Sequence, residues 1–325
     1  MTTIAYREAV QRALREEMRR DKNVFLFGED VAAAGGVFKA TQGLLAEFGP
    51  VRVFDTPISE SAILGAAVGA AMMGMRPVVE IMFADFTTIA MDGIVNSAAK
   101  VRFLSGGEFT APMVIRMSYG AGARWGAQHT QSVESWLMNV PGLTIVMPTT
   151  PHDVLGLLKS AVRSPDPVVF LEHKQMYGKK EDVPDEEFVV EIGKAAVRRH
   201  GEDVTIVATG AMVDRALAAA TTLGEQGTNA EVIDVRTIVP LDTATIVESV
   251  TRTGRLVIVH EAPVFGGFGA EIAASVSSLA FGYLGAPIER LGGAWTPIPF
   301  GQVLIDEYLP SERDVVEAAR RTLLS

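Results

Sequence analysis

Short apolar runs bounded by turns recur through the first half of the chain: VFLFG (24–28), PVVEIMF (77–83), PMVIRM (112–117), LTIVMP (143–148) and PVVFLE (167–172). Between them lie longer stretches with helical spacing, over 6–20, 59–74, 85–104 and 151–163. The short runs predict buried strands and the long ones the helices that cover them. Strands separated by helix-length segments mean a parallel sheet with helices on both faces. Near residue 173 the texture changes. HKQMYGKKEDVPDEEFVVEIG is charged, carries Pro184 and lacks a period, as a linker does. The alternation then resumes with DVTIVATG (203–210), a helix over 212–226, AEVIDVRT (230–237), a helix over 242–252 and RLVIVHEA (255–262). Further helices are expected from GGFGAEIAASV (266–276) and near 310–323. The expectation is an α/β protein of two domains, 1–189 with a linker at about 173–189, and 190–325, each a mostly parallel sheet covered by helices.

The first twenty residues, MTTIAYREAVQRALREEMRR, have no apolar core of the kind a signal peptide needs. They read as an amphipathic helix with Ala9, Val10, Ala13 and Leu14 on one side. The most apolar segments, 62–75 and 77–83, are split by Arg76 and Pro77 and are too short to span a bilayer. The expectation is a cytoplasmic protein without a membrane partner. With 325 residues, 48% of them hydrophobic and 21% charged, the chain is long enough for two cores. A formal net charge of −10 argues against nucleic acid, which needs a basic surface. The absence of cysteine excludes disulfides, thiol nucleophiles and thiolate metal sites.

One carboxylate stands out. In FDTPISESAILGAAVGAAMMGMRPVVE (54–80), Ser59 is placed to cap a helix and Glu60 to open it. The plain reading is that a glutamate at a helix start interacts with free amides and the helix dipole. The residues that follow alter the balance: Gly65, Ala66, Gly69, Ala70 and Gly74 make a small-residue stripe that lets another backbone come close. Each glycine in a helix costs about 1 kcal/mol against alanine, so the stripe argues for tight packing. Such packing would bury Glu60 near a subunit or helix interface, and a buried carboxylate is a credible acid or base.

The segments GEDV (28–31), DTPISE (55–60), GAAVGAAMMGMRPVVEIMFADF (65–86), NSAAK (96–100), GAQHTQS (126–132), PGLTIVMPTTPHD (141–153), DVRTIVPLD (234–242) and GFGAEI (267–272) run in the order and spacing of one family. They resemble the β subunit of the thiamine-diphosphate-dependent, decarboxylating component of 2-oxo acid dehydrogenase complexes. Pyruvate, acetoin and branched-chain 2-oxo acid dehydrogenases share it. The resemblance covers essentially the whole chain and implies a transketolase-like pyrimidine-binding domain followed by a transketolase C-terminal domain. It also implies that Glu60 hydrogen-bonds the cofactor's aminopyrimidine ring and favours the tautomer able to remove the thiazolium proton. Glu29 is implied to lie near the pyrimidine end, Phe86 to pack on that ring and His129 to face the substrate and the acyl transfer step. Read as residues alone, Phe86 is an ordinary core phenylalanine at a strand–helix junction. His129, in a loop preceded by Gly120, Gly122 and Gly126, is equally well a catalytic or a capping histidine. His152, His173, His200 and His260 read as structural.

The diphosphate has no obvious home here. Relatives that anchor magnesium and diphosphate usually carry GDG and a later asparagine, and MDGIVN (91–96) has the wrong spacing and a helical setting. The resemblance therefore implies a separate α subunit that anchors thiamine diphosphate and magnesium, in an assembly of two α and two β chains. It further implies a lipoyl-bearing dihydrolipoyl acyltransferase core as partner, and a structural potassium held by main-chain carbonyls near Val114, Ala161, Ser164 and Asp166. GGFGAEI after RLVIVHE invites a dinucleotide reading, but Ile272 stands where a third glycine or alanine is needed. The expected function is oxidative decarboxylation of a 2-oxo acid, pyruvate first, with acetoin and branched-chain 2-oxo acids as alternatives. Trp125, close to His129 in sequence, would favour a short acyl group if it narrows the pocket, although a loop tryptophan more often packs locally. A reading from another class is a non-catalytic interaction protein of the same fold.

Overall fold

A computed structural model describes residues 1–324. The chain divides into two compact units: Met1–Tyr119 with Trp136–Ile192, and Gly120–Ser135 with Gly193–Ser325. The segment 120–135 thus belongs to the second unit, an excursion that no break in the hydrophobic pattern announces.

In the first unit, six strands run in the order Thr144–Val146, Val168–His173, Val114–Tyr119, Arg76–Phe83, Val24–Gly28 and Val53–Asp55, and every neighbouring pair is parallel. Parallel strands place all their C-terminal ends along one edge, where open α/β sheets hold ligands. The helices Tyr6–Arg20 and Pro151–Arg163 pack against each other. Tyr6–Arg20 turns Ala9, Val10, Ala13 and Leu14 inward, all fully buried. Two expected features differ. The N-terminus begins as a strand, Thr2–Ala5, pairing antiparallel with Lys180–Val183 inside the region expected to be a linker. The helix expected over 85–104 is broken into a 3-10 turn, an α-helix Thr87–Asp92, a π-helix Gly93–Ala98 and a last α turn, Val101–Leu104. A Cβ at Gly93 would lie 2.8 Å from that of Leu64, so this segment hugs the helix Glu60–Met72 too closely for a side chain.

In the second unit, five strands run in the order Glu289–Gly293, Leu256–Pro263, Val204–Ala208, Ala230–Asp234 and Ala196–Arg199, parallel apart from the last. Ile206, Val232 and Val257 pack with Ala216 and Ala220 of the helix Met212–Glu225 and Val315 and Ala319 of the helix Glu312–Leu323. Thr205, pointing the other way, hydrogen-bonds Ser249 and Thr253 of the helix Thr243–Thr253, each at 2.7 Å. Both faces are therefore covered. Among the described residues, no helix is long and apolar enough to cross a membrane.

Candidate active site

The strand Val24–Gly28 ends where the chain must leave the sheet edge sharply. Gly28 is pressed onto the next strand, and a Cβ there would lie 2.6 Å from the Glu80 carbonyl oxygen. The Gly28 carbonyl accepts the Thr56 amide at 2.9 Å, tying the ends of two strands together. Asp55 then takes the amides of Ala32 and Ala33 at 2.7 and 3.1 Å, fixing the loop that follows Glu29 and Asp30.

These constraints bring Glu29 beside the helix Glu60–Met72. The backbone N–H of Ser59 donates to Glu29, and Glu29 and Glu60 are only 7% and 4% exposed. Burial first, then the charges of Glu60 and Asp30, push the Glu29 carboxyl above its usual range. Its Oε1 is buried with no hydrogen-bond partner among the described residues. Ser59 does hold the N-cap position, but its hydroxyl makes no cap bond. Phe86 closes the 3-10 turn Ala84–Phe86 after the strand Arg76–Phe83, half-buried and edge-on to Phe83 at 6.1 Å. It is not a fully buried core ring.

Within this chain the stripe is not what buries Glu60. Gly65, Ala66, Gly69 and Gly74 are exposed, and a Cβ at Gly65, Gly69 or Gly74 would meet nothing within 4 Å. Ile58 and Met73, at either end of the helix, are both 82% exposed. Leu64 and Ala67 face inward instead.

His129 lies in the segment 120–135 of the second unit and is half-buried. Gly120, Gly122 and Gly126 adopt φ of 97°, 90° and 77°, where L side chains are strained. The Thr130 hydroxyl donates to the Gly126 carbonyl at 2.6 Å, and Ala121 packs into an apolar cluster with Ile298, Ile305, Tyr308 and Leu309.

Several features escaped the sequence reading. Arg116, fully buried in the first sheet, donates to both oxygens of Glu172 at 2.6 and 2.8 Å and to Glu80 at 2.6 Å. Tyr177 adds its hydroxyl to Glu172 at 2.9 Å. The sequence signal was there: a charge in the middle of three apolar strands, with Glu80 opposite Arg116 in register. Arg76 donates to the carbonyls of Val162 and Ser164 at 2.8 and 2.9 Å. The Ala161 carbonyl accepts the Ser164 amide at 3.2 Å and that of Asp166 the Ser164 hydroxyl at 2.9 Å. Three of the four carbonyls expected near a potassium, those of Ala161, Ser164 and Asp166, thus already serve protein donors. Among the described residues, no cluster of His, Asp or Glu could hold a metal ion. Asp92 and Asn96 of MDGIVN bond each other at 2.7 Å on the helical stretch.

The glycine-rich turn of the second unit is filled by His260. Cβ atoms at Gly267 and Gly269 would lie 2.5 and 2.8 Å from its ring, and burial pushes the imidazole down to about 4. The glycines serve close packing of the turn on the strand Leu256–Pro263.

Comparison with known proteins agrees with this architecture. Residues 2–180 match the transketolase pyrimidine-binding domain and residues 193–315 the transketolase C-terminal domain. The chain is 46% identical over 325 residues to the 2-oxoisovalerate dehydrogenase subunit beta of Bacillus subtilis, covering 99% of each chain. It is 47% identical to the pyruvate dehydrogenase E1 component subunit beta of Rhizobium meliloti, covering 98% of this chain and 70% of that one. It is 46% identical to the acetoin:2,6-dichlorophenolindophenol oxidoreductase subunit beta of Cupriavidus necator, covering 97% and 96%. A solved split-gene transketolase, an inactive β4 tetramer, superposes with a TM-score of 0.79 at 27% identity, over 99% of this chain and 98% of that one. With both domains matched and near-full-length relatives at this identity, the chain belongs to the transketolase-like family of 2-oxo acid and acetoin dehydrogenase β subunits.

Proposed function

We propose that this chain is the β half of a thiamine-diphosphate-dependent 2-oxo acid dehydrogenase of the cytoplasm. It works with a separate α chain in an assembly of two α and two β chains, and hands its acyl group to a lipoyl arm of an acyltransferase core. The observation that carries the reading is the pair Glu29 and Glu60, buried side by side at the C-terminal sheet edge with Glu29 Oε1 unpartnered. A dry pair of neighbouring carboxyls suits an aminopyrimidine ring, which exchanges a proton with its neighbour.

Thiamine diphosphate, when bound, supplies the electron sink for the carbanion left by decarboxylation. Glu60 would hold the proton at the ring nitrogen, Glu29 would support that end of the pocket, and the half-buried Phe86 would offer a ring face. His129 would serve the acyl transfer step. Magnesium and the diphosphate are assigned to the α chain, in keeping with the acidic charge of this one. A carbonyl oxygen has two lone pairs, so potassium near Ala161, Ser164 and Asp166 would bind through the second of each. The exposed Gly65–Gly69 surface, flanked by Ile58 and Met73, suits close packing of another subunit.

The test is to mix the purified chain with its α partner, cofactor, magnesium and each of pyruvate, acetoin and 2-oxoisovalerate, and to follow dye reduction. Turnover is expected only in the mixture, with the highest kcat/KM for pyruvate. Turnover by this chain alone would sink the shared site. A clear preference for 2-oxoisovalerate would reverse the substrate order.

A further inference from the structure

The segment 120–135 leaves and re-enters its surroundings through two feet that meet at one buried side chain. At the first foot, the Ala121 amide donates to Glu261 Oε2 at 3.0 Å. At the second, Glu134 opens the short helix Glu134–Leu137 with its carboxyl buried within reach of the Glu261 charge. Glu134 is 1% exposed, Glu261 4%, and Glu134 Oε2 is buried without a hydrogen-bond partner among the described residues. The titratable groups facing Glu134 are Glu261, from the strand Leu256–Pro263, and Tyr308, from the helix Gln302–Tyr308. The same helix supplies Ile305 and Tyr308 to the apolar cluster around Ala121. Gly293 lets the neighbouring strand close over this spot, since a Cβ there would lie 2.5 Å from the Glu261 carbonyl oxygen and 2.7 Å from the Tyr308 ring.

A buried carboxyl with an unpartnered oxygen, within reach of a second buried carboxyl, is costly to ionise, so the closed arrangement holds a proton. His129 lies between the two feet. We propose that Glu134 is a positioning residue for His129, and that the proton held on the Glu134–Glu261 pair keeps the 120–135 loop closed within its unit. Loss of that proton sets two like charges against each other at the loop's base and opens it.

The sign follows from the environment. Burial, then Glu261, raises the Glu134 carboxyl to about 7. Burial, then Glu261 and Glu134, raises the Tyr308 hydroxyl to about 12, so Tyr308 stays neutral and does not compensate. A carboxyl whose titration point is raised by closure favours the closed state fully at acid pH. That preference is lost as pH rises from the ordinary carboxylate range through about 7.

The inference rests on the reading of His129 as a substrate-facing residue, and its test has two separate arms. The first is hydrogen exchange of residues 120–135 in the assembled enzyme at pH 6 and pH 8, corrected for intrinsic chemistry. Protection is expected to fall about tenfold between the two, since closure weakens by a factor of ten for each pH unit up to about 7 and no further above it. Glu134→Gln, a fixed neutral amide of the same shape, is expected to abolish the change. Glu261→Gln removes the facing charge and is expected to move the midpoint to lower pH. The second arm is the pH profile of kcat, whose alkaline limb should move to higher pH in Glu134→Gln. Identical exchange in wild type and Glu134→Gln across this range would overturn the proposal. Full turnover in His129→Ala would instead defeat the reading of His129, while leaving the exchange result standing.

Discussion

Glu80 and Glu172 sit inside the first sheet around Arg116, which meets them with three short hydrogen bonds. Glu29 and Glu60, at the C-terminal edge of the same sheet, face each other and Asp30. Both groups are buried carboxylates on one scaffold, yet their charge is handled in opposite ways. Around Arg116, burial alone would lower the guanidinium's affinity for its proton, but Glu172 and then Glu80 outweigh it and hold the charge in place. At the edge, burial and like charge act together and raise the Glu29 carboxyl above its usual range. A buried charge with its counterion is internal structure. Buried carboxyls set against each other mark a place where a further group, or a proton, completes the balance.

The largest effect is expected at the compensated group. Arg116→Met leaves Glu80 and Glu172 buried without their cation, and removing one partner of a buried pair costs about 3–5 kcal/mol. Chemical denaturation should show this as a much lower midpoint. A loss under about 1 kcal/mol would mean that the ion cluster is no structural keystone, and the contrast would fail.

Next comes His260, buried without a counterion and with the like charge of Arg290 nearby. Its imidazole is held down from 6.5 to about 4 by burial. A depressed base favours the folded state above its ordinary value, and that advantage is lost as pH falls from 6.5 toward 4, by on the order of 3 kcal/mol. His260→Leu should flatten the acid limb of the stability curve, measured by urea unfolding between pH 7 and pH 4. An unchanged limb would show that burial without a counterion carries no penalty in this protein.

The smallest effect is expected at Glu29. Its raised carboxyl favours folding fully at acid pH, and that contribution is lost as pH rises through the raised value. Glu29→Gln should therefore remove the slope and raise Tm at neutral pH, by on the order of 2 °C for a chain of this size. A fall in Tm comparable to that of Arg116→Met would show that the edge pair is as structural as the interior one.

The parallel strands were legible because each is a short apolar run between turns, and Val24–Gly28 was read to the residue. Ala196–Arg199 and Glu289–Gly293 were not, because strands AVRR and ERLGG at the sheet's edges carry charges and lack an apolar signature. The break-up of 85–104 was hidden because Gly93 signals nothing until Leu64 is packed against it. Among the site candidates, Glu60 could be singled out by its place ahead of the small-residue stripe. The stripe, however, is open surface, and Glu60's burial has another source within its own unit. Glu134 was illegible. In SVESW a glutamate reads as a solvated helix residue, and only the fold sets it against Glu261, 127 positions away.

The central claim is that the buried carboxyl of Glu60 is there for chemistry and that its helix-start position is incidental. The direct measurement is turnover and thermal midpoint of the assembled Glu60→Gln enzyme, side by side with wild type. The amide keeps the shape but cannot relay a proton. The account predicts a fall in kcat of roughly 100- to 10,000-fold with the midpoint nearly unchanged. Wild-type turnover with a midpoint lowered by the loss of about 0.3–1 kcal/mol of helix-dipole stabilisation would contradict it.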